Sequence, residues 1–209
     1  MGYSGRWWGA VVISSVSLFM AAGFAQAALM NGSFENGPDP GPAMVLPPGS
    51  TAINGWSVVR GNISYVGSRW QHSHGSRSIG LPCGGGISQT FDTDPAEEYE
   101  VRFNMAGDPT TPPSVKSLAV SFGSDTRVFT FDTTSRSPQA MGWEARSWIF
   151  GSGELKTTLT FFSPTAECST PAVDNIRLIP VEIGVRVDPD AIGDPKRPPS
   201  LAVGGMLSQ

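Results

Sequence analysis

Two carboxylates stand near opposite ends of the strand-rich part of this chain. Glu35 closes Asn31-Gly32-Ser33-Phe34-Glu35, and Asp174 sits in Ala172-Val173-Asp174-Asn175-Ile176-Arg177-Leu178. If the first and last strands of a two-layer β domain lie side by side, these two ends meet. Glu35, Asp174 and the Asn31 region would then offer oxygens to one cation. That donor type suits a structural Ca²⁺, which takes about six to eight oxygen ligands and would draw the rest from backbone carbonyls and water. The other reading needs no ion: a buried Glu35 accepting backbone N–H groups, and an Asp174 fixing a turn.

A second cluster could bind an organic ligand. Trp70 is followed by Gln71, His72, Ser73, His74 and Ser76, all polar, which suits an exposed loop or sheet rim. Sugars stack their C–H faces on such rings while polar neighbours bond the hydroxyls. Trp70, Gln71, His72 and, from a neighbouring strand, Asn104 are therefore the candidate ligand-binding residues. The alternative is that the indole packs in the core, as large aromatics usually do. His72 and His74 are the only histidines, too few for a Zn²⁺ site without a third ligand. Hydrolysis of a glycan would need two carboxylates across a cleft. Asp132, Glu144, Glu98 and Glu100 are available, but Glu98 and Glu100 alternate with apolar residues as on a solvated strand face. The chain contains no G-x-S-x-G element and no phosphate-binding loop. It reads as a non-enzyme.

The elements that must hold these residues are strands. In Glu98-Tyr99-Glu100-Val101-Arg102-Phe103-Asn104-Met105 every second residue is large and apolar, which predicts a half-buried strand with Tyr99, Val101, Phe103 and Met105 facing the core. Leu118, Val120 and Phe122, Phe129 with Phe131, and Leu159 with Phe161 repeat the pattern. Further strands are expected at Ile63–Val66, Trp143–Phe150 and Ile176–Ile179. Turn signals such as Gly84-Gly85-Gly86, Asp108-Pro109 and Gly151-Ser152-Gly153 separate them. Gly37 to Ser50, rich in Pro and Gly, reads as a long loop. Eight or more short strands at this spacing predict an all-β sandwich or jelly roll.

Composition sets the compartment. Met1 to Arg6 carries one positive charge, Trp7 to Phe24 is largely apolar, and Ala25-Gln26-Ala27 offers a small-x-small cleavage site. Residues 1–27 are expected to be a signal peptide; the membrane-anchor alternative is opposed by Ser14, Ser15, Ser17 and the cleavage site. The expected product is secreted, extracellular or on the cell surface, with no membrane span in the mature chain. The net charge of −4 and the absence of a basic cluster exclude an electrostatic footprint for nucleic acid. Cys83 and Cys168 are an even pair in an oxidising compartment, which allows one disulfide. Residues 28–180 form the expected domain. Residues 181–209 are the tail, in which Val181 to Val187 alternates like one more strand before Pro-rich sequence.

The ordered series Asn31-Gly32-Ser33-Phe34-Glu35, Gly55-Trp56, Tyr65-Val66-Gly67 with Trp70, Gly75-Ser76-Arg77-Ser78-Ile79 and Gly86-Ile87-Ser88-Gln89-Thr90-Phe91 resembles the choice-of-anchor C family. Phe131-Asp132-Thr133-Thr134, Met141-Gly142-Trp143 and Val173-Asp174-Asn175-Ile176 continue the match. The same module occurs in plant cell-wall proteins of the BIIDXI-like group, long labelled a domain of unknown function. The resemblance spans about residues 29 to 180 and implies a galactose-binding-like jelly-roll β-sandwich with carbohydrate association and no catalysis. The chain departs from the family at Gly80, where members carry an acidic residue. The function expected is a secreted, non-catalytic module that binds a cell-wall or extracellular polysaccharide. The alternative partners are extracellular proteins, reached through β-addition to the loop or tail, and a polysaccharide hydrolase is the minor alternative.

Overall fold

The computed structural model describes residues 29–165 and 168–181. The expected signal peptide and the tail beyond Val181 lie outside the described residues. Eleven strands form: β1 (Ala43–Leu46), β2 (Ser57–Arg60), β3 (Ile63–Val66), β4 (Ser78–Gly80), β5 (Gly86–Asp92), β6 (Glu98–Gly107), β7 (Val115–Phe122), β8 (Asp125–Asp132), β9 (Glu144–Gly151), β10 (Lys156–Phe162) and β11 (Pro171–Val181). They pair antiparallel into a six-stranded sheet, β1-β3-β4-β11-β6-β9, and a five-stranded sheet, β2-β5-β10-β7-β8. The architecture is the expected all-β jelly-roll sandwich. No helix long and apolar enough to cross a membrane occurs among the described residues.

Strand alternation places the core as read from the sequence. Tyr99, Val101, Phe103 and Met105 are all buried, as are Leu118, Val120, Phe122, Phe129, Phe131, Leu159 and Phe161. Phe103 of the first sheet meets Phe129 and Phe161 of the second edge-on, with ring centroids 5.1 and 5.2 Å away, an arrangement aromatic quadrupoles favour. Each such buried side chain contributes about 1.5–3 kcal/mol through removal of apolar surface from water. The disulfide forms, joining Cys83 and Cys168 across 85 residues.

Two expectations about the N-terminal region need correction. Residues 29–42 form turns and irregular chain rather than an opening strand, and β1 lies inside the Pro/Gly stretch expected to be a loop. The reason is visible in the motif itself. Asn31 and Phe34 both adopt positive φ, which is incompatible with a strand. Phe34 still reaches the core, packing on Trp56 at 5.4 Å, while the Trp56 indole N–H donates to the Asn31 carbonyl at 3.1 Å. Gly32 passes so close to β11 that a Cβ would strike the Ile176 carbonyl, and the Ile176 N–H donates to Gly32 O at 2.8 Å. The early motif thus meets the late strand through a close backbone approach instead of a ladder.

Candidate functional site

The meeting point is a β-bulge. Asp174 stands opposite Asn104 and Arg177 opposite Arg102, so Asn175 and Ile176 together oppose the single residue Phe103. Asn175 takes a positive φ of 53° to allow it. In a regular strand, alternation would send Asp174 and Arg177, three residues apart, to opposite faces. The bulge resets the phase: Ile176 turns into the core while Asp174 and Arg177 both look outward from the six-stranded sheet.

Above Asp174 stands the β3–β4 connection, residues 67–77, folded back over the outer face of the sheet. Asp174 Oδ2 accepts the Ser73 N–H at 3.0 Å, the Ser73 hydroxyl at 2.9 Å and the His74 N–H at 2.9 Å, while Oδ1 accepts the Asn175 N–H at 2.6 Å. Burial raises the Asp174 carboxyl above its ordinary value, and these donors pull it back. Glu35 holds the far end of the same loop. Its Oε1 accepts the Ser76 and Arg77 N–H groups, both at 2.9 Å, and its Oε2 the Ser76 hydroxyl at 2.8 Å. Arg77 in turn donates to the carbonyls of Glu35 and Gly37 and to the Tyr65 hydroxyl. Asn31 is also engaged, with its side chain bonded to Asn36 and to the Asn54 carbonyl. The oxygens nominated for calcium thus receive N–H and O–H donors, and a bound ion would have to compete with them. No group of three or more His, Cys, Asp or Glu side chains that could hold a metal occurs among the described residues.

Trp70 does not present its ring to solvent: it is 4% exposed. Its indole N–H donates to the Ser78 hydroxyl at 2.8 Å, and the Arg69 guanidinium lies 5.7 Å from its ring centroid. The ring packs over Gly80, where an added Cβ would come within 2.9 Å of Trp70 Cη2 and 3.1 Å of Thr170 Cγ2. That contact explains the glycine where the family resemblance led one to expect an acid. The polar residues after Trp70 anchor the loop rather than flank an exposed ring. Gln71 N–H donates to the Pro138 carbonyl, Gln71 Oε1 accepts the Met141 N–H, and the Gln71 carbonyl accepts the Trp143 indole N–H. His72 Nδ1 shares the Ser78 hydroxyl at 3.2 Å. Trp70 and His72 line a depression of about 840 Å³ between the loop and residues Asp39–Pro42.

Asn104 lies outside this depression, directly opposite Asp174 on β6. It belongs to an open groove of about 460 Å³ across β11, β6 and β9, lined also by Glu100, Arg102, Ser147, Asn175 and Arg177. Glu100, Arg102 and Asn104 run along β6 on the outward positions, spanning about 13 Å at 3.3 Å per residue. Ala145 and Ser147 flank them in register on β9. Arg102 donates through Nε and Nη2 to Glu100 Oε2, at 2.9 and 2.6 Å, and this hydrogen bonding lowers the Glu100 carboxyl below its ordinary value. The structure therefore separates the four sequence candidates: Asn104 lines the groove, Trp70 and His72 line the separate depression, and Gln71 anchors the loop. Arg102, Ser147, Asn175 and Arg177 were not singled out from the sequence. Alternation had put Arg102 outward, but only the bulge brings Arg177 to the same face.

Two of the other acids considered for hydrolysis, Asp132 and Glu144, are engaged elsewhere. Asp132 Oδ1 accepts the Thr134 hydroxyl and N–H, which lower its carboxyl, and Glu144 pairs with Arg146 at 2.6 Å.

The family model described as "Protein of unknown function (DUF642)" matches residues 27–179. Halomucin of Haloquadratum walsbyi (strain DSM 16790 / HBSQ001) is 28% identical over 179 residues, 81% of this chain. The chain spans 2% of halomucin's length. Among solved structures, the Family 16 Carbohydrate Binding Module-2 is 17% identical with a TM-score of 0.44, covering 72% of this chain and 98% of that one. The CBM22-1 xylan-binding domain from Paenibacillus barcinonensis Xyn10C is 13% identical with a TM-score of 0.45, covering 71% and 98%. The arabinose-bound α-L-arabinofuranosidase MgGH51 is 12% identical with a TM-score of 0.48, covering 74% of this chain and 26% of that one.

Proposed function

The chain belongs to the family described as "Protein of unknown function (DUF642)", and from that premise we propose that it is an extracellular, non-catalytic carbohydrate-binding module. The observation that carries the reading is the groove over β11, β6 and β9. Apart from Phe103 and Ala145 its side chains are polar or charged, offer both donors and acceptors, and stand on strands whose register holds them in place. Sugar hydroxyls are themselves donors and acceptors, so amides, a hydroxyl and guanidinium N–H groups side by side match them. Drug-like ligands favour enclosed apolar cavities instead. The single carboxylate in the groove, Glu100, is held ionised by Arg102, whereas glycoside hydrolysis calls for a second carboxyl group with a raised pKa. Asp174 has the raised carboxyl, but it lies under the loop. The narrower likeness to choice-of-anchor C and plant cell-wall proteins, secretion through the signal peptide, and a Ca²⁺ at Asn31, Glu35 and Asp174 belong to the same proposal.

Affinity-gel electrophoresis against a polysaccharide panel tests it. Retardation of the wild type, weakened by Asn104→Ala and by Ser147→Ala at unchanged thermal midpoint, is the expected result. Unretarded migration of folded protein on every polysaccharide would overturn the reading.

A further inference from the structure

We infer that the groove selects acidic glycans, those carrying carboxylate or sulfate groups, with Arg177 as the anion-binding residue and Arg102 completing the contact. The inference rests on the carbohydrate-binding reading and narrows its ligand class.

The register is the starting point. Arg177 of β11 and Arg102 of β6 are direct cross-strand partners on the solvent face, with Cα atoms about 4.5–5.5 Å apart in such a pair. Like charges directly opposite one another destabilise a sheet. Glu100 offsets only one of the two. It sits beside Arg102 and takes two of its N–H groups on one oxygen. Arg177 has one side-chain contact among the described residues, a 3.3 Å hydrogen bond from its Nε to Asn175 Oδ1. No carboxylate lies within ion-pair distance of it among the described residues. Its Nη groups therefore have no ion-pair partner among the described residues.

The groove also breaks with the rest of the molecule. The whole chain carries a net charge of −4, yet this trough is lined by three arginines, Arg102, Arg146 and Arg177, against one carboxylate; Arg146 is paired with Glu144 and Arg102 with Glu100. Guanidinium is planar and presents a fork of N–H donors that matches the two oxygens of a carboxylate or sulfate. Glu100 on Arg102 shows a carboxylate held by a guanidinium on this face, there through a single oxygen. A ligand anion beside Arg177 would relieve the repulsion across the β6–β11 pair. Asn104, Asn175 and Ser147 would meanwhile engage the hydroxyls of the same sugar or its neighbours. A neutral sugar can accept hydrogen bonds from both arginines but leaves the charge of Arg177 unmatched, which an anionic group does not.

The test compares three soluble polymers by isothermal titration at low and high salt: alginate, its carboxyl-reduced neutral form, and a sulfated galactan. The full chain is used as wild type and as Arg177→Ala, with the unfolding midpoint of each recorded. The wild type is expected to bind alginate or the sulfated galactan, the two arms identifying the anion preferred. Binding should weaken with salt, as screening requires. Arg177→Ala should lose about tenfold or more in affinity, the loss expected for a charge-assisted contact, at an unchanged midpoint. Equal affinity for alginate and its carboxyl-reduced form, or acidic binding that Arg177→Ala leaves intact, would overturn the inference while leaving carbohydrate binding in place. Failure of all three polymers and of the wider panel would overturn the carbohydrate reading itself.

Discussion

Replacing Asp174 should unseat the loop that it anchors, residues 67–77. Three donors from residues 73 and 74 converge on its Oδ2, and the side chain is fully buried. Asp174→Ala removes their acceptor and leaves three backbone N–H groups, those of Ser73, His74 and Asn175, to find water or open the loop. With about 1–3 kcal/mol for each stranded donor, and the sum limited by partial rehydration, the loss comes to about 3–5 kcal/mol. Asp174→Asn is milder. Its Oδ1 can take the Oδ2 position and keep the loop, but its amide then faces the Asn175 N–H, donor against donor, at a cost of about 1–3 kcal/mol. Urea unfolding followed by circular dichroism measures both. The order wild type, Asn, Ala is expected, and an Ala variant within about 1 kcal/mol of wild type would refute the reasoning. The pH dependence has a definite sign. Burial raises the folded-state carboxyl above its ordinary 3.8, so the folded form holds its proton longer than the unfolded one. Its stabilising contribution is complete below that ordinary value and is lost as pH rises through the folded pKa. The margin of wild type over Asp174→Asn should therefore be widest in acid and narrow as pH rises.

Replacing Cys83 and Cys168 together by Ser releases a crosslink spanning 85 residues and should lower stability by about 4–5 kcal/mol in the chain-entropy model; a loss under about 1 kcal/mol in urea unfolding would contradict that. Gly80→Ala should destabilise by about 1–3 kcal/mol through its contact with Trp70, and a neutral result would mean the indole has room to move. Adding Ca²⁺ after EDTA should raise the thermal midpoint if the ion displaces the loop donors from Glu35 and Asp174, with Glu35→Gln abolishing the rise. An unchanged midpoint would remove the ion from the proposal and leave those carboxylates as loop anchors.

The fold was legible because its strands alternate cleanly. Tyr99, Val101, Phe103 and Met105 could face only one way, and once several such runs were separated by turns, two packed sheets were the remaining solution. The N-terminal region was not legible for the opposite reason. Asn31 and Phe34 occupy left-handed backbone that no apolar pattern reports. β1 is an edge strand of four residues, only one of them buried, so it carries almost no periodic signal.

The site was harder to read than the fold, and Trp70 shows why. A tryptophan among polar residues is the same string whether the polar groups meet water or meet the protein's own backbone. Here Gln71, Ser73 and Ser76 bond to Met141, Asp174 and Glu35, all far away in sequence, so nothing local distinguished an anchored loop from a solvated one. The groove was hidden by a different ambiguity. Glu100, Arg102 and Asn104 alternate with core residues like any solvated face, and their meaning depends on what stands on β11 beside them. That depends in turn on a bulge of one residue. Counting forward from Asp174 by twos sends Arg177 into the core, an unlikely place for an unpaired guanidinium. Together with Val173 and Ile176 lying three apart, both apolar, that conflict is the trace the bulge leaves in the sequence. The same irregularity that spoils the alternation leaves Asp174 under the loop and Arg177 in the groove on one face of the sheet, so one inserted residue decides which side chains the candidate site presents.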